Sequence, residues 1–173
     1  PELKIKEFDL DGAKALAEES GLKGETITVH LPLGTTVLGE QVRLQMKDVG
    51  VGAVISYLAG EDLLASFAEK KADVYFLGYK SESGDGSDFF GDIVKSGVEY
   101  NLGNYENEEV DDLIALAAAE LNEEERLGDL REIGVMLDED VFGVPLLEYQ
   151  NLFSLKGGVK FEPRMDGFVS FVD

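Results

Sequence analysis

The sequence contains no cysteine and a single histidine, His30, among its 173 residues. Without cysteine there can be no disulfide framework, thiolate metal site or cysteine nucleophile, although the redox compartment stays open. One histidine alone builds neither a multi-histidine metal site nor a histidine-paired nucleophile, so we expect no metal and no cofactor. Because His30 falls on the polar side of a predicted strand, we expect an exposed, structural histidine.

Positive charge and long apolar runs are scarce as well. The sequence has 15 Lys and Arg and 36 Asp and Glu, which gives a net charge of -21. Such a charge repels phosphate backbones and anionic lipid surfaces, so we expect no nucleic-acid partner. No stretch approaches the roughly 18 to 20 uninterrupted apolar positions of a membrane-spanning helix. The length and the 44% hydrophobic content predict a single domain over residues 1–173.

The acidic residues are densest between Tyr105 and Val141, where fourteen Asp or Glu accompany two Arg. They alternate with apolar residues at helical spacing and do not form one continuous block. This spacing favours the solvated faces of helices over an acidic interaction tail.

Strand and helix patterns alternate in the first half of the chain. Thr26–Leu31 alternates between apolar and polar residues, Val51–Leu58 is an apolar run, and helical spacing links them over Leu38–Val49. A second helix over about Glu61–Lys70 leads into Val74–Leu77, which is apolar on both faces and therefore predicted to be a central, covered strand. Two strand-helix-strand units in succession predict an α/β fold with a mostly parallel sheet flanked by helices.

Further helices are predicted outside these units. Asp9 or Asp11 can cap the first, which runs to about Ser20 and ends at Gly21, where a left-handed conformation favours glycine. Asn107 is placed to cap a second helix, and Asn122 with Glu125 forms a capping-box-like start for a third. The apolar faces of the first and third helices comprise Leu10, Ala13, Leu16 and Ala17, and Leu127, Leu130, Ile133 and Leu137, respectively.

Two short apolar segments follow the last of these helices. Val144–Leu147 and Leu152–Leu155 are predicted to be strands, and Pro145 marks the first as an edge or strand-start position. The tail from Gly157 is predicted to be irregular.

The candidate ligand-binding residues lie in the long polar loop after Leu77, because open α/β sheets bind ligands beyond the carboxyl ends of their strands. They are Tyr79, Glu82, Ser83, Asp85 and Asp88. The carboxylates suit a ligand with a positive group, and Tyr79 offers an aromatic face and a hydroxyl. The alternative is a solvated turn whose Asp and Ser residues cap a helix starting near Phe89, and composition alone favours this alternative.

Other kinds of site find little support. The loop lacks the spacing of an EF-hand, and no glycine pattern that would cradle a phosphate follows a strand. With 36 acidic residues, chance carboxylate pairs are plentiful, so a hydrolase that uses such a pair is the last of our hypotheses. An acidic protein-interaction module that holds a basic partner is the alternative from another class.

The order of several segments resembles the C-terminal lobe of the peptide- and nickel-type family of ABC-importer solute-binding proteins. The match runs from about Phe8 to Phe171, and its segments read AKALAEESGL, TITVHLP, ADVYFLGYKSESGDGSDFF, NYENEEVDDLI, ERLGDLREI and DEDVFGVPLLEYQNLFSLKGGVKFEP. The most specific are NYENEEVDDLI and VPLLEYQN. The resemblance implies one periplasmic-binding-protein-like lobe, with no enzymatic activity.

The resemblance also implies a ligand, a place in the cell and partners. In dipeptide-binding members, the strand that corresponds to Val74–Leu77 ends in Gly-Trp, and an Asp shortly after it receives the amino terminus of the peptide; the matching positions here are Tyr79 and Glu82. The longer Glu would shift the ammonium contact, and similar proteins bind nickel, oligosaccharides and other small solutes. The implied location is periplasmic or at the cell surface. The implied partners are a peptide or small-molecule ligand, an ABC permease in the membrane, and an N-terminal lobe missing from this chain, toward which Phe161–Val172 would return.

Overall fold

The computed structural model of the protein describes residues 6–148, 150, 152–164, 167 and 169. The chain divides into two compact units, with residues up to Gly78 in the first and residues from Tyr79 in the second. The organisation of residues 1–173 as a single lobe stays a prediction.

The first unit contains the parallel sheet that the sequence predicts. Its elements are α1 (Leu10–Glu19), β1 (Thr26–Pro32), α2 (Thr36–Asp48), β2 (Gly52–Leu58), α3 (Gly60–Ala68) and β3 (Val74–Tyr75). The strand order is β2-β1-β3, and β1 pairs in parallel with both neighbours. Each helix between two strands therefore serves as a crossover, which confirms the predicted α/β class.

Local signals set the ends of α1. The Asp9 carboxylate accepts a hydrogen bond from the Gly12 amide at 2.8 Å, which satisfies one of the amides left free in the first turn. Gly21 follows the helix with a φ of 75°, a conformation that costs glycine little. Of the predicted apolar face, Ala17 is buried but Leu16 is exposed.

The prediction that Val74–Leu77 is the central strand is wrong, because β1 occupies that position. β3 has only two residues and pairs with β1 through Val29 and His30, and Val74 is 41% exposed. Beside this pairing, the Asp73 carboxylate accepts the Thr28 amide at 2.7 Å, and the backbone amides of Asp73 and Phe76 donate to the Thr28 and His30 carbonyls. An apolar run indicates burial, but it does not specify how many strands will pair with it.

The prediction of an exposed His30 is also wrong. Val29, His30 and Leu31 are consecutive and all buried, so both faces of β1 are covered, and α3 packs on this strand. The His30 ring places Nδ1 2.5 Å from the Ser66 hydroxyl oxygen and meets the Tyr75 ring edge-on at 6.1 Å. Alternation distinguishes the two faces of a strand, but in a covered central strand neither face meets water.

The second unit is helical in its ordered elements. α4 (Gly86–Phe89) continues into a π-helical turn over Phe90–Val94, and α5 (Glu108–Ala119) and α6 (Glu123–Glu139) follow. Asn107 and Asn122 cap α5 and α6 as predicted, each accepting two backbone amides. The core of this unit consists of Val94, Val110, Ile114, Ile133 and Leu137. The predicted buried side of α6 is thus only partly correct, since Leu127 is 38% exposed.

The two strands predicted after α6 are wrong. Within residues 140–148, 150 and 152–164 the structure contains no helix or strand, and Leu152 is 91% exposed. These segments are apolar, but the described part of the chain offers them no strand partner. Residues 157–164 are irregular as predicted, while Tyr149, Asn151 and most of the tail after Arg164 lie outside the described residues.

The burial pattern of α6 predicts different costs for two similar substitutions. Ile133→Ala removes a fully buried side chain from the core, so we expect it to lower the free energy of unfolding by about 2 to 5 kcal/mol. Leu127→Ala, on the same helix, should cost less than about 1 kcal/mol because that side chain already meets water. Urea denaturation followed by circular dichroism measures both, and equal losses would contradict the assigned face.

Candidate functional site

The candidate loop folds around the carboxylate of Asp88. One oxygen of this carboxylate, Oδ2, accepts hydrogen bonds from the Ser81 hydroxyl at 2.7 Å, the Ser83 amide at 3.0 Å and the Ser83 hydroxyl at 2.8 Å. These bonds, with the Ser83 amide first, lower the pKa of Asp88. Asp88 therefore fixes the turn on both sides of Glu82.

Asp85 has two structural partners. It is the N-cap of α4, where its Oδ1 accepts the Ser87 amide at 2.8 Å. Both of its carboxylate oxygens also accept hydrogen bonds from the Arg126 guanidinium, each at 2.8 Å. The hydrogen bonds from Arg126, followed by those from Ser87, hold the pKa of Asp85 well below its usual range. This bidentate pair connects the loop to the first turn of α6.

Sequence reasoning did not single out Arg126. Its guanidinium also donates to the Ala117 carbonyl in α5 at 3.2 Å and to the Ser87 hydroxyl at 3.1 Å. One side chain thus connects α5, α6 and the start of α4. The available signal was its rarity, since it is one of only two arginines among fourteen acidic residues between Tyr105 and Val141.

Tyr79 is partly packed within the second unit. Its ring meets the Phe89 ring edge-on at 5.4 Å, and its hydroxyl donates to the Asp92 carboxylate at 3.0 Å. Burial, followed by the hydrogen bond to Asp92, raises the pKa of Tyr79 to about 12. The hydroxyl is therefore already engaged with Asp92, a residue that the sequence did not single out.

Glu82 differs from the other carboxylates of the loop. It is exposed, and among the described residues it has no hydrogen bond or ion pair. Asp85 and Asp88 instead match the alternative expectation of a capped turn, and the helix begins at Gly86, slightly before the predicted position. The structure brings all five candidate residues into one short segment, but their role in ligand binding stays a prediction.

The NYENEEVDDLI segment has a structural role. Asn107 caps α5, the Tyr105 hydroxyl donates to Asp140 at 2.5 Å, and the Asp111 carboxylate accepts the Ser96 amide at 2.9 Å. Just before the segment, the buried amide of Asn101 donates to the Tyr105 carbonyl at 2.7 Å and accepts the Tyr105 amide at 2.9 Å. These contacts hold the second unit together, which explains how this motif can indicate a fold without indicating a ligand.

The described residues contain neither a metal-binding cluster nor a membrane-spanning helix. No three of their His, Asp or Glu side chains are grouped in a way that would hold a metal ion. None of the helices in the same part of the chain has both the length and the apolarity that crossing a bilayer requires.

The pairing of Asp85 predicts a dependence of stability on pH. Its pKa is lowered in the folded state, so its contribution is present above the unfolded pKa of about 4 and is lost as the pH falls through the lower folded pKa. Asp85→Asn keeps a helix-capping side chain but cannot ionise. We therefore expect its free energy of unfolding to fall less steeply than that of the wild type below about pH 4.

Urea denaturation at a series of pH values measures this difference. Asp112→Asn, on the exposed side of α5, is the control for the loss of one negative charge. If Asp85→Asn and the wild type lost stability in parallel through the acid range, Asp85 would not hold a depressed pKa.

No protein-family model and no curated protein matches the sequence. Solved structures do match its fold, among them NikA from Staphylococcus aureus in complex with Ni(L-His)2, at a TM-score of 0.74 and 21% identity over 82% of this chain and 32% of that one. DppA from Helicobacter pylori, a periplasmic binding protein in complex with the peptide STSA, matches at 0.74 and 18% identity over 81% and 29%. The ABC transporter substrate-binding protein CtaP from Listeria monocytogenes matches at 0.70 and 23% identity over 78% and 28%.

The chain spans about a third or less of the length of these three structures. At such identities the similarity concerns the fold and leaves the ligand open. The chain therefore has the periplasmic-binding-protein-like α/β fold of these matching structures, as the resemblance in its sequence predicted.

Proposed function

We propose that this chain is the C-terminal lobe of an extracytoplasmic solute-binding protein that captures short peptides, or a related small solute with a free amine, for an ABC permease in the membrane. The observation that carries the proposal is the exposed carboxylate of Glu82 in a loop whose other carboxylates have internal partners. The fold similarity to peptide- and nickel-binding proteins supports it. Capture and release require no covalent chemistry, so we propose no enzymatic activity.

The chemistry of the loop favours a ligand with an ammonium group. A bound ammonium needs acceptor oxygens, and charge-assisted hydrogen bonds to a carboxylate are stronger than neutral ones. Asp85 has both oxygens engaged by Arg126, and Oδ2 of Asp88 already accepts three hydrogen bonds. Glu82 is therefore the proposed ammonium acceptor, while Tyr79 contributes its ring, since its hydroxyl donates to Asp92.

The apolar segments after α6 support the existence of a second lobe. Five side chains in this region are at least half exposed: Val144, Leu146, Leu147, Leu152 and Leu155. They fall in Val144–Leu147 and Leu152–Leu155, the two segments that the sequence predicts to be strands. Exposed apolar clusters of this kind mark surfaces that another structure covers. We propose that an N-terminal lobe covers them in the complete protein, and that this protein is periplasmic or lies at the cell surface.

A lobe without its partner should bind its ligand weakly. Two-lobed binding proteins close around the solute, and most of the ligand's surface is buried only then. We therefore expect millimolar rather than micromolar affinity for this chain alone, a difference of about 4 kcal/mol in binding free energy.

Ligand-observed saturation-transfer NMR detects binding in this range. The chain is mixed with a pooled library of di- to pentapeptides, and the peptides that receive magnetisation are then titrated one at a time. Glu82→Gln should weaken their binding roughly ten- to a hundredfold, because the charged carboxylate that pairs with the ammonium is replaced by a neutral amide. Glu106→Gln, which removes an exposed carboxylate elsewhere in the second unit, should leave binding unchanged.

Peptides with an acetylated amino terminus test the role of the ammonium itself. They should bind the wild type no better than unmodified peptides bind the Glu82→Gln variant. If wild type and Glu82→Gln bound unmodified peptides equally well, Glu82 would not be the ammonium acceptor. If no peptide bound, the proposal for this chain would fail.

A further inference from the structure

We propose that Arg126 is a positioning residue for the candidate site: by clamping Asp85, it holds the loop from Ser81 to Asp88 in the conformation that presents Glu82. This inference rests on the proposed function for the role of Glu82. It adds a residue that would control ligand affinity without touching the ligand.

The ion pair between Arg126 and Asp85, called the clamp here, has a well-defined geometry. Two parallel hydrogen bonds of 2.8 Å connect the guanidinium to both oxygens of Asp85, across 41 positions in the sequence. The Arg126 and Asp85 side chains are only 25% and 33% exposed, whereas the residues of the other ion pairs in the described part of the chain are between 43% and 69% exposed. A partly shielded, bidentate pair is screened less by salt and fixes orientation as well as distance.

The clamp reaches Glu82 through a short series of hydrogen bonds. The Ser81 hydroxyl shares its one proton between Asp88 and the Asp85 carbonyl, which lies 3.1 Å away, and the Asp85 amide donates to the Ser83 hydroxyl at 3.2 Å. Ser81 and Ser83 are the two neighbours of Glu82, and the hydroxyl of each also lies within hydrogen-bonding distance of Asp88. When Asp85 is fixed, the backbone on both sides of Glu82 is therefore fixed as well.

The far end of the clamp is equally well anchored. Arg126 lies in the first turn of α6, and its Nε donates to the Ala117 carbonyl in α5. Both helices bury residues in the core of the second unit, including Ile114, Ile133 and Leu137. Arg126 thus connects the loop to the helical core, and α5 and α6 define where its side chain lies.

The first experiment measures loop order in the whole chain without ligand. Backbone ¹⁵N relaxation measures the order parameters of Ser83 and Gly84. We expect values of about 0.85 in the wild type and below about 0.6 in Arg126→Gln. Arg126→Lys keeps the charge but loses the two-pronged geometry, so it should give intermediate values. Arg131→Gln is the matched control, because it removes the same charge from an exposed position on the same helix. Unchanged order in Arg126→Gln would overturn the proposal.

The second experiment asks whether Arg126 acts through Glu82. If the competent loop conformation falls to about a tenth of the population, apparent affinity for an unmodified tripeptide from the pool should fall about tenfold in Arg126→Gln. In a Glu82→Gln background the same change should have little further effect, because the contact that Arg126 positions is already lost. Equal losses in both backgrounds would show that Arg126 acts elsewhere, and this would overturn the proposal even if the loop were disordered.

The two proposals fail in different ways. If the wild-type chain binds no peptide while Arg126→Gln disorders the loop, the clamp stands and the proposed ligand is wrong. If the wild type binds peptides through Glu82 and Arg126→Gln changes neither loop order nor affinity, the ligand stands and the clamp is wrong. Circular dichroism of each variant at the same temperature confirms that the helices remain folded in the comparison.

Discussion

The excess of carboxylates over cations is the constraint on which many of the polar contacts in the structure depend. With 36 acidic and 15 basic residues, most carboxylates cannot each have a cation of their own. In the described residues several of them instead accept hydrogen bonds from amides and hydroxyls, among them Asp9, Asp73, Asp88, Asp111 and Asp140. Asp85 is different, because a scarce arginine is bound to it at a point where three helices and a loop meet.

The sequence predicted the features of the fold that depend on local chemistry. Helix caps at Asp9, Asn107 and Asn122, and the parallel strand-helix-strand order, follow from patterns that a short window contains. The errors all concern which elements meet each other. Three outcomes depend on contacts between distant parts of the chain: whether β1 or β3 is central, whether His30 is covered, and whether Val144–Leu147 and Leu152–Leu155 find strand partners. An apolar run looks the same in the sequence in each case.

In the candidate site as well, local chemistry could be predicted from the sequence and contacts between distant residues could not. Composition identified the loop and its five residues, but it could not distinguish a carboxylate that binds a ligand from one that caps a helix, since both use the same residue types. The distinction depends on Arg126 and on the hydroxyls of Ser81 and Ser83, whose partners are set by the folded structure. It also explains why fold similarity at about 20% identity says little about the ligand: Asn107 and Asp111 hold the second unit together, whereas Glu82 has no hydrogen bond or ion pair with the described residues.

A loop whose backbone is held by internal hydrogen bonds is well suited to bind a small solute. Ordering a flexible loop at the moment of binding would cost conformational free energy that is subtracted from affinity. Here the hydrogen bonds of Asp85 and Asp88 form on folding, so the backbone beside Glu82 is already ordered before a ligand arrives. What the loop cannot supply is burial, since Glu82 remains exposed in this chain. On the proposed function, orientation of the ammonium would come from this lobe, and the exclusion of water that strengthens the contact would come from closure against the other.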